Sequence, residues 1–174
     1  MIETFDMPQE KTRRKISGIH LLIIVLCIVV FDQITKFQTV NTLELGERIV
    51  VFTGFDLWHV HNYGAAFSFL NDAGGWQRWV LTGVSLIASL VLAWWLVRLP
   101  KTQRLLAVAL AVLLAGAVGN LIDRFFFGYV VDFISVYYAD WRFATFNIAD
   151  AAISIGAALL VLDILLGVRS DDRQ

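Results

Sequence analysis

The chain has 174 residues, 58% of them hydrophobic, a mean hydropathy of +0.69 and a formal net charge of −1. Soluble domains hold about 45–50% apolar residues even with glycine counted, and here the excess is gathered in blocks, which points to membrane spans rather than a greasy soluble core. The charge excludes nucleic acid as a partner, since no basic stripe exists outside short end segments, and the lone Cys27 excludes an internal disulfide and has no companion for a metal site.

The length suits one domain over residues 1–174. A basic stretch (Lys11, Arg13, Arg14, Lys15) leads into an apolar run from Ile16. The run is followed by Phe31-Asp32-Gln33 rather than a small-residue cleavage site, so it reads as an uncleaved first span over 16–37. An outer segment over 38–75 comes next. In it, Arg48–Phe52 and Phe55–His61 flank Thr53-Gly54 and read as a hairpin-like unit on the membrane surface. Gly64–Leu70 reads as a short interfacial helix. A second span covers 76–97, Pro100 marks a tight loop where a helix must stop, and a third span covers 105–122. The outer segment 123–146 is rich in Phe, Tyr and Trp, which gather at membrane interfaces because each pairs an apolar ring with a polar edge. A fourth span covers 147–168. Each span is near the ~20 residues needed at 1.5 Å per residue. Backbone groups find no water in lipid, so the spans must be helices. The expected fold is an all-α membrane protein of four transmembrane helices, with the hairpin-like unit and interfacial helix outside. Lys and Arg are concentrated at the N-terminus, in the loop holding Arg98, Lys101 and Arg104, and at Arg169 and Arg173, so both termini are expected in the cytoplasm.

The costly residues then fall at one interface. Asp32 and Lys36 lie one turn apart at the outer end of the first span. Asn120, Asp123 and Arg124 end the third, Asp132 follows, and Asn147 and Asp150 open the fourth; Asn62 closes the hairpin-like unit. An intramembrane carboxylate costs roughly 2.5–3.5 kcal/mol at the bilayer centre, so such residues are functional candidates. Each also has a plain structural reading. Asn147 can cap the fourth helix, Asp150 can sit at its positive end, and Asp32 can pair with Lys36. Capping and pairing do not require convergence from three spans and two outer segments; a shared polar pocket does. Cys27 lies mid-membrane, away from any histidine. His59 and His61 share a face but lack a third metal ligand. The serines lack a base. Two close carboxylates remain: they cannot both ionise cheaply, so they share a proton and can activate a water between them. The residues alone do not say which two. A proton-coupled small membrane transporter is the alternative, but it predicts acids through the membrane depth, and the span midplanes here are apolar.

Five blocks narrow the choice: Asp32-Gln-Ile-Thr-Lys36, Asn62-Tyr-Gly-Ala-Ala-Phe67, Gly119-Asn-Leu-Ile-Asp-Arg124, Val131-Asp-Phe133 and Phe146-Asn-Ile-Ala-Asp150. Their order and spacing resemble the signature blocks of lipoprotein signal peptidase, also called signal peptidase II. The one departure is Ala115-Gly116 where two glycines are usual. The resemblance implies an inner-membrane aspartyl endopeptidase of bacteria with its site at the extracytoplasmic face. It implies diacylglyceryl-modified prolipoproteins as substrates, cut just before the lipidated cysteine, with Asp132 and Asp150 as the catalytic pair. Asp32, Lys36, Asn62, Gly64, Asn120, Asp123, Arg124 and Asn147 would line the site, and residues 64–67 could form a flap. Membrane lipids are the other expected partners; no cofactor, no metal and a functional monomer are expected.

Overall fold

The computed structural model describes residues 17–64 and 75–171. The interfacial helix and flap expected beyond Gly64 lie outside the described residues, as do Lys11, Arg13, Arg14, Lys15 and Arg173. In chain order the elements are α1 (Gly18–Thr42), β1 (Arg48–Phe52), β2 (Phe55–Asn62), α2 (Trp76–Arg98), α3 (Arg104–Phe126), β3 (Val130–Tyr138), β4 (Trp141–Arg142) and α4 (Ile148–Asp171). All four helices are long and apolar enough to cross a membrane. Their outer faces carry large apolar side chains, such as Phe37, Trp79 and Ile87, that only lipid can cover.

The helix ends explain where the chain departs from simple hydropathy. α1 continues past residue 37 through a polar turn. Thr35, Thr39, Asn41 and Thr42 each donate a side-chain hydrogen bond to the carbonyl one turn back, which satisfies them without breaking the helix. α3 likewise continues to Phe126, so Asp123 and Arg124 belong to the helix rather than to the outer segment.

α3 is the central helix: Ala109, Leu110, Ala111 and Ala115 are fully buried, and α1, α2 and α4 all pack on it. Close approach to α4 needs glycine. A Cβ on Gly119 would lie 3.0 Å from the Ala149 Cβ, and one on Gly156 only 2.8 Å from the Leu113 backbone nitrogen. Among the described residues α2 has no comparable packing with α4. A cleft is left between them, floored by α3.

The outer segments join in one antiparallel sheet of order β1-β2-β3-β4. The β1–β2 hairpin turns at Thr53-Gly54, where Gly54 takes φ +97°, a left-handed conformation that favours glycine. β2 then pairs with β3, setting Val60 opposite Asp132 and Asn62 opposite Val130. The expected hairpin-like unit is thus half of a sheet, and the aromatic outer segment supplies the other half. Val130, Val131, Asp132 and Phe133 are all buried, so the first half of this strand is covered on both faces. Such a strand shows no period-two alternation, which is why its residues look like interfacial anchoring in the bare sequence.

Candidate active site

The outer ends of α1 and α3, the start of β3 and the first turn of α4 converge on one polar network. It begins with a lysine. Lys36 is 3% exposed and carries three N–H donors. Its Nζ lies 2.8 Å from Asp32 Oδ2, 3.0 Å from Asp123 Oδ2 and 3.1 Å from Asn120 Oδ1. A buried ammonium is tolerable only when its charge and donors are matched this fully.

The two carboxylates facing Lys36 also hold backbone. Asp32 Oδ1 accepts the N–H of Ala149 at 2.8 Å, in the first turn of α4. Asp123 Oδ2 accepts the N–H of Val131 at 3.1 Å, in β3. Each gripped peptide group belongs to the residue immediately before Asp150 or Asp132. Asp32 and Asp123 therefore set where those two aspartates stand.

Asn147 joins the aspartates. Its Oδ1 accepts the Asp150 N–H at 2.9 Å, and its own N–H donates to Asp150 Oδ2 at 3.3 Å, a reciprocal cap on α4. Its Nδ2 donates to Asp132 Oδ1 at 2.8 Å. The capping role and the pocket role foreseen as rivals for Asn147 thus coexist, because the amide has a separate atom for each. Asn120 works similarly. Its Oδ1 faces Lys36 and accepts from Asn147 Nδ2 at 3.2 Å, while its Nδ2 donates to Asp150 Oδ1 at 2.7 Å. Asn62 donates to Asp132 Oδ2 at 3.0 Å and accepts the Gly64 N–H at 3.0 Å. Arg124 closes the ring by donating to the Gly64 carbonyl at 3.3 Å.

The structure therefore brings Asp32, Lys36, Asn62, Gly64, Asn120, Asp123, Arg124, Asp132, Asn147 and Asp150 into one connected set of polar contacts. Gln33 belongs to it as well and was not singled out in the sequence, where it reads as one more polar residue at a span end. His59 and His61 do not join. Their rings meet edge to face at 5.0 Å, His61 stacks on Tyr129 at 3.7 Å, and His59 Nδ1 faces the Leu43 carbonyl at 3.0 Å. Among the described residues no group of three His, Cys, Asp or Glu side chains is placed to hold a metal ion.

A cavity of about 740 Å³ opens beside the network in the cleft between α2 and α4. Asn62, Asn120, Arg124 and Asp150 form its polar wall. Leu81, Val84 and Ala88 of α2 and Ile153 and Ile155 of α4 form the apolar remainder, with Phe143–Phe146 closing one side. Asp132 is 1% exposed and lies one hydrogen bond behind this wall, held by Asn62. Burial, and behind it the negative charge of Asp150, push the Asp132 carboxyl up to about 7, against the lowering pull of the Asn62 and Asn147 donors and of Lys36. A carboxyl that titrates near neutrality beside a second carboxylate is equipped to hold and release a proton.

Residues 24–166 match the family described as Signal peptidase (SPase) II. The chain belongs to the signal peptidase II family. A lipoprotein signal peptidase of Pseudoalteromonas translucida is 48% identical over 151 residues, covering 87% of this chain and 91% of that relative. One from Shigella boydii serotype 4 is 44% identical over 154 residues, covering 88% of this chain and 94% of that relative. Among solved structures, a bacterial membrane enzyme determined by the in meso method at 2.3 Å resolution superposes with a TM-score of 0.81 at 29% identity. That match covers 90% of this chain and 94% of the other. This signal peptidase II family member is thus a peptide-bond hydrolase and a multi-pass bacterial membrane protein.

Proposed function

We propose that this enzyme removes the signal peptide of diacylglyceryl-modified prolipoproteins, cutting just before the lipidated cysteine with a water activated by Asp132 and Asp150. The observation that carries the reading is the Asn147 bridge. The one residue bonds to both aspartates, its side-chain amide donating to the Asp132 carboxylate and its backbone N–H to the Asp150 carboxylate, at the edge of a cavity that opens between two membrane helices. The apolar α2 and α4 walls suit the apolar segment of a signal peptide and an acyl chain. The polar wall then receives the peptide bond that follows.

The roles within the pair follow from their surroundings. Asp150 lines the cavity, whereas Asp132 lies behind its wall, so a water in the cavity meets Asp150 first. It is the general base. Asp132, buried and titrating near 7, is the acid that starts protonated. Asp150 takes a proton from water as the oxygen adds to the scissile carbonyl carbon. Asp132 gives its proton to the carbonyl oxygen, so both charges stay balanced in the tetrahedral adduct. When the C–N bond breaks, the nitrogen takes the proton held by Asp150, and Asp132 recovers its own from the collapsing hydroxyl. Arg124 lies on the cavity wall and balances charge without exchanging protons.

The Lys and Arg bias supports cytoplasmic termini and a site at the extracytoplasmic face. A monomer supplies every group in the mechanism. The test uses purified protein in detergent with a metal chelator, given a lipidated pro-peptide and its unlipidated twin. Cleavage of the lipidated form alone, before the modified cysteine, is the expected result. Equal cleavage of both, or none by folded, monodisperse protein, would sink the proposal.

A further inference from the structure

The amide of Gln33, like the ammonium of Lys36, reaches both backbone-gripping carboxylates. Its Nε2 lies 2.9 Å from Asp123 Oδ1, 3.2 Å from Asp32 Oδ2 and 3.2 Å from the carbonyl oxygen of Gly119. Neither carboxylate contacts substrate space directly. Asp32 uses its other oxygen on the Ala149 N–H, and Asp123 uses its other oxygen on the Val131 N–H. Lys36 neutralises both but touches only their Oδ2 atoms, so it leaves Asp123 Oδ1 to Gln33.

We propose that Gln33 is a positioning residue: it fixes the rotation of Asp123 and Asp32, and through them the spacing between Asp132 and Asp150. The inference rests on the catalytic pair named above. Lys36 and the Val131 N–H both meet Asp123 at Oδ2, so without Gln33 the carboxylate is free to pivot about that one oxygen, and the ammonium, a point charge, does little to stop it. The amide adds direction. It ties the outer end of α1 to α3 at Gly119, the glycine whose lack of a side chain leaves room for both Asp32 and Ala149. Displacing a reacting group by about 1 Å can cost on the order of 100-fold in rate. A residue that sets this spacing therefore governs turnover more than substrate affinity.

The charged groups facing Gln33 are Asp32, Asp123 and Lys36. Gln33→Leu removes both donors at nearly constant volume. Gln33→Glu keeps the shape but, when ionised, replaces the donors with a third carboxylate beside the other two. Protonation restores one donor, so this variant recovers as pH falls.

The experiment compares cleavage of the lipidated pro-peptide by wild type, Gln33→Leu and Gln33→Glu, each checked for monodisperse elution in detergent, over pH 5.5–8.5. For Gln33→Leu we expect kcat to fall roughly 10- to 100-fold with KM within about twofold. For Gln33→Glu we expect the ratio of activity at pH 6 to that at pH 8 to exceed the wild-type ratio several-fold. Wild-type kcat in Gln33→Leu overturns the proposal. If that variant does not fold, an unchanged pH ratio in Gln33→Glu overturns it instead. Asp132→Asn and Asp150→Asn are run alongside. Turnover by either of those rejects the catalytic pair, whereas their inactivity together with normal Gln33 variants rejects Gln33 alone.

Discussion

Lys36 donates to the Asn120 side chain at 3.1 Å, and that hydrogen bond links the two ion pairs of the lysine to the amides around Asp132 and Asp150. The lysine thus belongs to the scaffold and to the site at once. Removing one partner of a buried, fully matched ion group leaves the other charges uncompensated.

Lys36→Met should therefore cost more than activity. Asp32 and Asp123 would both face a dry interior without a cation, and breaking such a pair costs about 3–5 kcal/mol. We expect the purified variant to unfold at clearly lower temperature in detergent and to cleave nothing. Adding Asp123→Asn to Lys36→Met should recover part of the lost stability, because it removes one of the stranded charges, but no turnover. An unchanged melting temperature in Lys36→Met would show that water reaches these carboxylates.

Asp132→Asn and Asp150→Asn should each abolish cleavage while leaving elution and helical signal intact. Their stabilities should differ with pH in a defined direction. The Asp132 carboxyl is raised from its ordinary 3.8 to about 7, so the folded protein binds this proton more tightly than the unfolded chain does. Stability from this group is full below about pH 4 and is lost as pH rises toward 7. Asp132→Asn has no proton to lose. The melting temperature of the variant minus that of wild type should be larger at pH 8 than at pH 5. A difference that stays constant across that range would mean the carboxyl does not titrate there.

The same titration sets the rate. If Asp132 must start protonated, kcat/KM for the lipidated peptide should fall on the alkaline side with an apparent pKa near 7. Because the two carboxyls interact, this value belongs to the pair. Asn62→Ala removes a donor that favours the ionised form of Asp132, so it should move that limb upward in pH. A downward shift would contradict the assigned cause.

The helices and the polar cluster are legible in the sequence for a physical reason: lipid penalises polar groups, so those that remain carry information. The penalty says where Asp32, Asp123, Asp132 and Asp150 gather, but not what each one touches. That Asp32 holds the Ala149 N–H depends on how α1 packs against α4, which no spacing encodes. The pairing of Val130–Tyr138 with Phe55–Asn62 is hidden for the opposite reason. The first half of Val130–Tyr138 is covered on both faces, so it loses polar alternation and resembles any apolar tract. Gln33 does not stand out in the sequence because a neutral amide at a span end carries little penalty, although the structure gives it three acceptors. The choice of Asp132 and Asp150 among the carboxylates rests on the family blocks, because residue type alone treats them alike.

Gly119 offers a test of how tightly the scaffold controls the site. A Cβ there would lie 2.7 Å from Asp32 Oδ2, closer than real contacts allow, and a tight 3.0 Å from the Ala149 Cβ. Neither neighbour can yield freely. Asp32 is fixed by Lys36 and by the Ala149 N–H, and Ala149 sits in the capped first turn of α4. Gly119→Ala must therefore push α1 and α4 away from α3 and carry Asp150 with α4. Overpacking of this kind costs typically about 1–3 kcal/mol, so the variant should still fold. Its kcat should drop by roughly 100-fold, the expected effect of moving a catalytic group by about 1 Å. Gly83→Ala on α2, where a Cβ meets nothing within 4 Å, is the control and should leave both stability and rate unchanged. Equal activity in the two variants would show that α4 can shift without disturbing the pair, and that Asp32 does not set its position.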